Sequence, residues 1–242
     1  MRVALLQIRL DPKSRAANLQ ALSEVIDEAA NASVAPDLLV LPGACDTGGA
    51  VSGRGWSNAS LEGVKEYLAW KARDWGVFIA AGLHVRHGDT WEPCAVLFDP
   101  DGDVVAHSSS PDGDKSTQSV RGIEMWASDI GDLGVFEPSI AQSLPEHTEI
   151  GKRGAVIAVP TVASLAGKRG RNVDANVALL QRRATVGYYA YWAVVAEAGA
   201  KGAPGDESGP GTFLRAPDGM ILASADSANK AIVVAEAPIG GT

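Results

Sequence analysis

The sequence predicts an α/β protein of one domain, residues 1–242, with two packed sheets. Three observations predict it. Short apolar runs alternate with helical patterns in the order β-α-β-α-β-β. Two hairpin signals of the same kind, Asp99-Pro100-Asp101-Gly102 and Ala216-Pro217-Asp218-Gly219, each join apolar runs. No linker separates the two halves that these hairpins end. A strictly parallel doubly wound sheet has no need of such hairpins, so two mixed sheets are expected.

Val3 to Ile8 reads as a buried first strand, stopped by Pro12. Residues 15 to 31 place Ala17, Leu19, Leu22, Val25, Ile26 and Ala29 at helical spacing. Leu38 to Leu41 is the second strand. A second helix runs from about Leu61 to Trp75, with Val64, Tyr67, Leu68, Ala72 and Trp75 on one face. Val77 to Leu83 and Cys94 to Phe98 are strands, the latter joined by the first hairpin to DVVAH. Ser108 to Ser119 is a loop rich in Ser, Asp, Gly and Pro. Leu133 to Phe136 and Ala155 to Val159 are short strands, Asn172 to Tyr189 is helical with Asn172 or Asp174 near its cap, and Ala193 to Ala196 is a strand. Residues 199 to 211 form a Gly/Pro-rich loop. TFLRAPDGMILASA is the second hairpin, and Ala231 to Ala235 closes the chain.

Composition narrows the function. The chain is 46% hydrophobic and 21% charged, with a net charge of -8 and a pI near 5.0. An acidic surface argues against nucleic-acid and anionic-membrane partners. Lys168-Arg169-Gly170-Arg171 reads as a solvated loop. No stretch approaches the ~20 apolar residues of a membrane span, and VALLQI reads as a strand rather than a signal peptide. A cytoplasmic location is expected. The two cysteines, Cys45 and Cys94, are too few for a disulfide framework or a thiolate metal site. His84 and His87, three apart on a strand, point to opposite faces and cannot share one ion without a bulge. No metal and no cofactor are expected. Tyr188, Tyr189, Tyr191 and Trp192 read as core and interface, and Trp56, Trp70, Trp75, Trp91 and Trp126 as packing.

The order MRVALLQI, NLQALSEVIDEAA, PDLLVLPG, GVFIAAGL, AVLFDPDGDVVA, LLQRRA, WAVVAEA, FLRAPDGMILASA and IVVAE resembles the nitrilase, or carbon–nitrogen hydrolase, superfamily across nearly the whole chain. The resemblance implies a four-layer α-β-β-α sandwich, a homodimer or larger assembly, and a Glu-Lys-Cys triad at strand ends. In that chemistry a thiolate attacks carbon, the glutamate moves protons and the lysine steadies the developing oxyanion. Carried over one at a time, the glutamate falls on Gly43, which follows Pro42 after the second strand. Counted from the first hairpin, the lysine falls on Ser110. Counted through GDLGVFEP, the cysteine falls on Pro138, with Glu137 or Ser139 one residue away. None of the three can do the family's chemistry.

The implied function is therefore a non-catalytic binding or regulatory homologue, with a possible small-molecule ligand in the former pocket. The alternative is a divergent amidase or nitrilase-type hydrolase of non-peptide C–N bonds with relocated residues. Cys45, or Ser139 with Lys115 and Glu137, are the substitutes it would need. A third reading is a module that only dimerises. Cys45 and Cys94 are read first as small buried hydrophobes. Gly43, Ser110 and segment 137–139 are expected to meet at one end of the sandwich.

Overall fold

The computed structural model describes residues 1–48, 58–87, 90–108, 123–136, 155–160, 190–198, 212–226 and 229–239. They build two six-stranded sheets and two helices. The strands are β1 (Arg2–Gln7), β2 (Leu38–Val40), β3 (Phe78–His87), β4 (Thr90–Phe98), β5 (Val104–Ser108), β6 (Ile123–Ser128), β7 (Gly131–Phe136), β8 (Ala155–Pro160), β9 (Ala190–Val195), β10 (Thr212–Arg215), β11 (Ile221–Ala225) and β12 (Ala231–Glu236); the helices are α1 (Arg15–Ala30) and α2 (Asn58–Trp75).

The first sheet runs β12-β1-β2-β3-β4-β5 and the second β6-β7-β8-β9-β10-β11. Within the first, β1, β2 and β3 are parallel and β12, β4 and β5 are antiparallel to their neighbours. The second repeats this strand for strand, with β7, β8 and β9 parallel and β6, β10 and β11 antiparallel. The two halves expected from the paired hairpins are thus two copies of one topology. Their turns match as well. Asp99 and Ala216 each accept a backbone bond from the glycine three residues on, Gly102 or Gly219, at 2.9 Å. Both glycines have positive φ, 83° and 91°, a conformation glycine adopts without a Cβ penalty.

Period-two alternation sorts the strand residues into layers. Phe78 and Ala80 of β3 face between the sheets, with Val3, Leu5, Leu38, Val40, Val135, Val156, Ala158 and Val195. Ile79, Ala81 and Leu83 face the opposite way, against Leu22, Val25 and Ile26 of α1 and Val64, Leu68 and Ala72 of α2. Ile157, Val159, Trp192, Val194 and Phe213 form a third buried cluster on the second sheet.

Several expectations need correcting. β6 was not anticipated: it pairs on one side only, with β7, and its half-exposed residues carry no apolar alternation. β9 starts at Ala190, so Tyr191 and Trp192 are strand residues. Both are buried within this one chain, Tyr191 donating its hydroxyl to the carbonyl of Pro238 at 3.2 Å. They are core and do not offer an interface. Ala17 of α1 is exposed, and Asn18 takes the buried place beside it. Its amide side chain accepts from the backbone N–H of Asp11 and donates to the Asp11 carbonyl. Trp126 is exposed, and Trp70, although exposed, packs its ring on Tyr67 and beneath the Lys71 ammonium. The helix expected over 172–189 lies outside the described residues.

Candidate functional site

The C-terminal ends of the parallel strands gather at one end of the sandwich, where α/β proteins place their chemistry. There a row crosses the first sheet. The loop residue Gly43 packs on Gly82 of β3, Gly82 pairs with Ala95 of β4, and Ala95 pairs with Ser108 of β5. The second sheet closes on the same row through Pro160, the last residue of β8. A Cβ at Gly82 would fall inside 3.0 Å of the Gly43 Cα and 3.1 Å from both Ala44 N and Pro160 Cβ. Position 82 therefore admits glycine alone without displacement of backbone.

Among the described residues, the buried polar side chains concentrate at this end. Gln7, Asn18, Asp46, Thr47, His84, Ser108, Glu197 and Thr212 lie here, and only Lys71 lies elsewhere. Burying such groups is costly unless they are hydrogen-bonded. Gln7 accepts from the Thr212 hydroxyl at 2.6 Å and donates to the carbonyls of Asp226 and Asn229. That ties β1 to β10 across the two sheets. Glu197 accepts from the backbone N–H of Leu10 at 3.3 Å.

The loop after β2 carries the strain of the site. Ala44 has φ of 49°, a left-handed conformation that costs a non-glycine residue about 1–2 kcal/mol. Its carbonyl accepts from Thr47 N at 3.1 Å and Gly48 N at 2.7 Å, and Cys45 N donates to Gly82 O at 2.9 Å. Cys45 also donates its thiol to Gly82 O at 3.2 Å. Burial, reinforced by the Asp46 charge, pushes this thiol well above its ordinary pKa. It is held protonated and inert, the opposite of an activated nucleophile. Cys94 lies mid-strand in β4, buried, rather than at its start.

Beside Cys45 is a pair that sequence reasoning missed. Asp46 accepts from the backbone N–H of His84 through Oδ2 at 2.7 Å and faces the imidazole Nδ1 through Oδ1 at 3.0 Å. Thr47 Oγ1 stands 3.3 Å from the same Nδ1. Strand parity could have pointed to His84, because it shares the face of Ala80 and Gly82; its carboxylate partner lies 38 residues away in sequence. No group of three or more metal-ligating side chains exists among the described residues.

Of the residues singled out from the sequence, the structure places Gly43 at this end and Cys45 beside it. Ser110, Lys115, Glu137, Pro138 and Ser139 lie outside the described residues. The strands that lead to them, β5 ending at Ser108 and β7 ending at Phe136, belong to the two sheets that meet here. Among the described residues, no helix is long and apolar enough to cross a membrane.

Comparison with solved structures gives the same architecture. An amidase from Nesterenkonia sp. AN1, with acrylamide added at its active-site cysteine, is 20% identical with a TM-score of 0.72, over 98% of this chain and 93% of that one. The same amidase after tag removal gives 20% and 0.71 over 98% and 93%. A variant of it in complex with butyramide gives 19% and 0.69, over 97% and 89%. These likenesses establish the fold as the nitrilase-type sandwich with two mixed six-stranded sheets. A search of curated proteins by sequence returns no match. The family profile described as carbon-nitrogen hydrolase matches residues 2–241, and the chain belongs to that family.

Proposed function

We propose that this family member binds a small amide-type ligand at the strand-end site without hydrolysing it. The observation that carries the reading is Gly43. It stands where the family resemblance puts the proton-shuttling acid, and it is bare backbone packed on Gly82 of β3. By the same resemblance Ser110 replaces the lysine and Pro138 the nucleophile. Proline cannot attack carbon, glycine cannot carry a proton, and a serine hydroxyl is a weaker partner for an oxyanion than an ammonium. Such groups act as a unit, so losing all three removes turnover by many powers of ten.

The amidase neighbours favour a second reading, a divergent hydrolase of non-peptide C–N bonds with relocated groups. Cys45 is a poor substitute, since its thiol is buried, carbonyl-bonded and raised in pKa. Ser139 with Lys115, and Glu137, are the remaining substitutes. A homodimer or larger assembly, resting on the family resemblance, and a cytoplasmic location, resting on two cysteines too few for a disulfide framework, are the accompanying proposals.

Acrylamide incubation followed by intact mass, with ammonia release from a panel of small amides, tests the reading. Unmodified protein, no ammonia and saturable amide binding in calorimetry are expected. Robust turnover would overturn it and install the hydrolase, and site-specific acrylamide labelling would name the relocated nucleophile.

A further inference from the structure

We propose that the chain is a permuted duplication: β12 is the opening strand of the first copy, carried to the far end of the sequence. Strand registers give the match residue by residue. Asp99 and Ala216 open the two equivalent turns, so Phe98 answers to Arg215. These pair with Ile79 and Trp192. Ile79 and Trp192 pair with Leu39 and Ile157, and those with Ala4 and Gly134. The last step reaches Val234 of β12 and Met125 of β6. The same count sets Pro42 on Pro160. On the other side of the turns the irregularities coincide. The ladder shifts register between Leu97 and Phe98 in one copy and between Leu214 and Arg215 in the other. A bulge is a specific feature of a sheet, and two at one equivalent position argue for a common pattern. Val104 and Ile221, which follow, match in exposure at 38% and 40%.

The copies differ in chain order. In the second, β6 precedes β7 and enters it through the turn Asp129-Ile130, closed by the pair Ser128 and Gly131. In the first, the counterpart of β6 is β12, which follows β11. The count places Ala237 and Met1 where Ser128 and Gly131 stand. Met1 N donates to Ala237 O at 3.1 Å and Ala237 N returns to Met1 O at 2.8 Å. The closing pair of a β12–β1 hairpin is therefore already formed, and only the connection is missing. Side chains have diverged where the candidate site lies. Gly82, Ala95 and Ser108 answer to Val195, Thr212 and Ala225, and Gln7 is bonded to Thr212 at that second position. The glycine row at the strand ends belongs to one copy alone.

A circular permutant of the full chain tests the proposal. It is opened between Ser227 and Ala228, and Thr242 is joined to Met1, so that β12 leads into β1. A second version replaces residues 238–242 by Asn-Gly, the residues that favour a tight hairpin turn. A third, opened between Asp218 and Gly219 with Thr242 joined to Met1, is the control. It restores the β12–β1 hairpin but separates β10 from β11 in sequence. At least one of the first two should keep the near-ultraviolet circular dichroism of the wild type. It should also refold about threefold faster in stopped-flow tryptophan fluorescence, because a pairing between the two ends of the sequence becomes a local hairpin. The control should refold more slowly than that version. Failure of both first versions to reach the wild-type spectrum overturns the proposal, and so does refolding no faster than the wild type. Equal refolding of the control overturns it as well, since the fold would then tolerate any opening.

Discussion

Gly82→Ala should be among the most damaging single-methyl additions in this protein. The new Cβ would lie inside 3.0 Å of the Gly43 Cα, where carbon atoms at rest stand about 3.5–4.0 Å apart. Relief needs a movement of about 1 Å, and the obstacle is backbone. That loop is fixed from both sides: Cys45 N donates to Gly82 O at 2.9 Å, Gly82 N to Pro42 O at 3.2 Å and Leu41 N to Ala80 O at 2.8 Å. On the other side Pro160 Cβ waits at 3.1 Å. Overpacking costs about 1–3 kcal/mol, and stretching the two bonds at Gly82 adds about 0.5–1.5 kcal/mol each. A loss of about 3 kcal/mol is expected. Gly134→Ala is the matched control. Its Cβ would meet Met125 Sδ at 2.5 Å, the end of a flexible side chain on a half-exposed edge strand. That sulfur can rotate away, so the loss should stay below about 1 kcal/mol. Urea unfolding followed by tryptophan fluorescence compares the two variants. If Gly134→Ala proves as costly as Gly82→Ala, the site is not a rigid backbone contact and the reasoning fails.

Thr212→Val should cost about 1–3 kcal/mol in the same assay, because it leaves Gln7 Oε1 and Ala196 N without their partner inside the sandwich. Asp27→Ala should cost about 1–2 kcal/mol at pH 7, since it strands the buried Lys71 ammonium; the figure is discounted because Asp27 itself is 41% exposed. Burial works against the Asp27 charge, but bonds from Lys71, Trp75 and Ser23 hold its carboxyl below the usual range. A depressed carboxylate adds stability above its unfolded pKa and loses it as pH falls through the folded one, so the gap between wild type and variant should narrow below about pH 4; a gap constant from pH 7 to pH 3 would contradict this pairing. Cys45→Ala should leave any amide binding unchanged within twofold in calorimetry, and a larger loss would return the thiol to the site. Sedimentation velocity should find a dimer or larger species, and a monomer at high concentration would remove the assembly from the proposal.

The sequence carried most of the architecture, and each part was legible for a physical reason. The buried strands announced themselves as short apolar runs bounded by Pro or Gly, as at Leu38–Val40 before Pro42-Gly43. The hairpin glycines at 102 and 219 marked two turns that prove alike in conformation. β6 escaped because an edge strand that buries little has no alternation to display. Asn18 escaped because its burial is justified by two hydrogen bonds to Asp11, which hydropathy does not encode. At the site, the glycine at 43 was legible as a departure from a resembling pattern. The Asp46–His84 pair was not, because a contact between a loop and a strand end appears only once β2 and β3 lie side by side.

The pairing of β12 with β1 sets the order in which this protein can be completed. Met1 donates to the carbonyl of Ala237, 236 residues downstream, and the Ala237 N–H returns to Met1 O. During synthesis β1 leaves the ribosome long before β12, so its outer edge finds no partner until residues 231–236 have followed. Throughout translation that edge is a row of open amides and carbonyls, the geometry that invites pairing with another nascent chain. A chaperone that shelters β1 until β12 arrives would serve this fold more than one that acts after release.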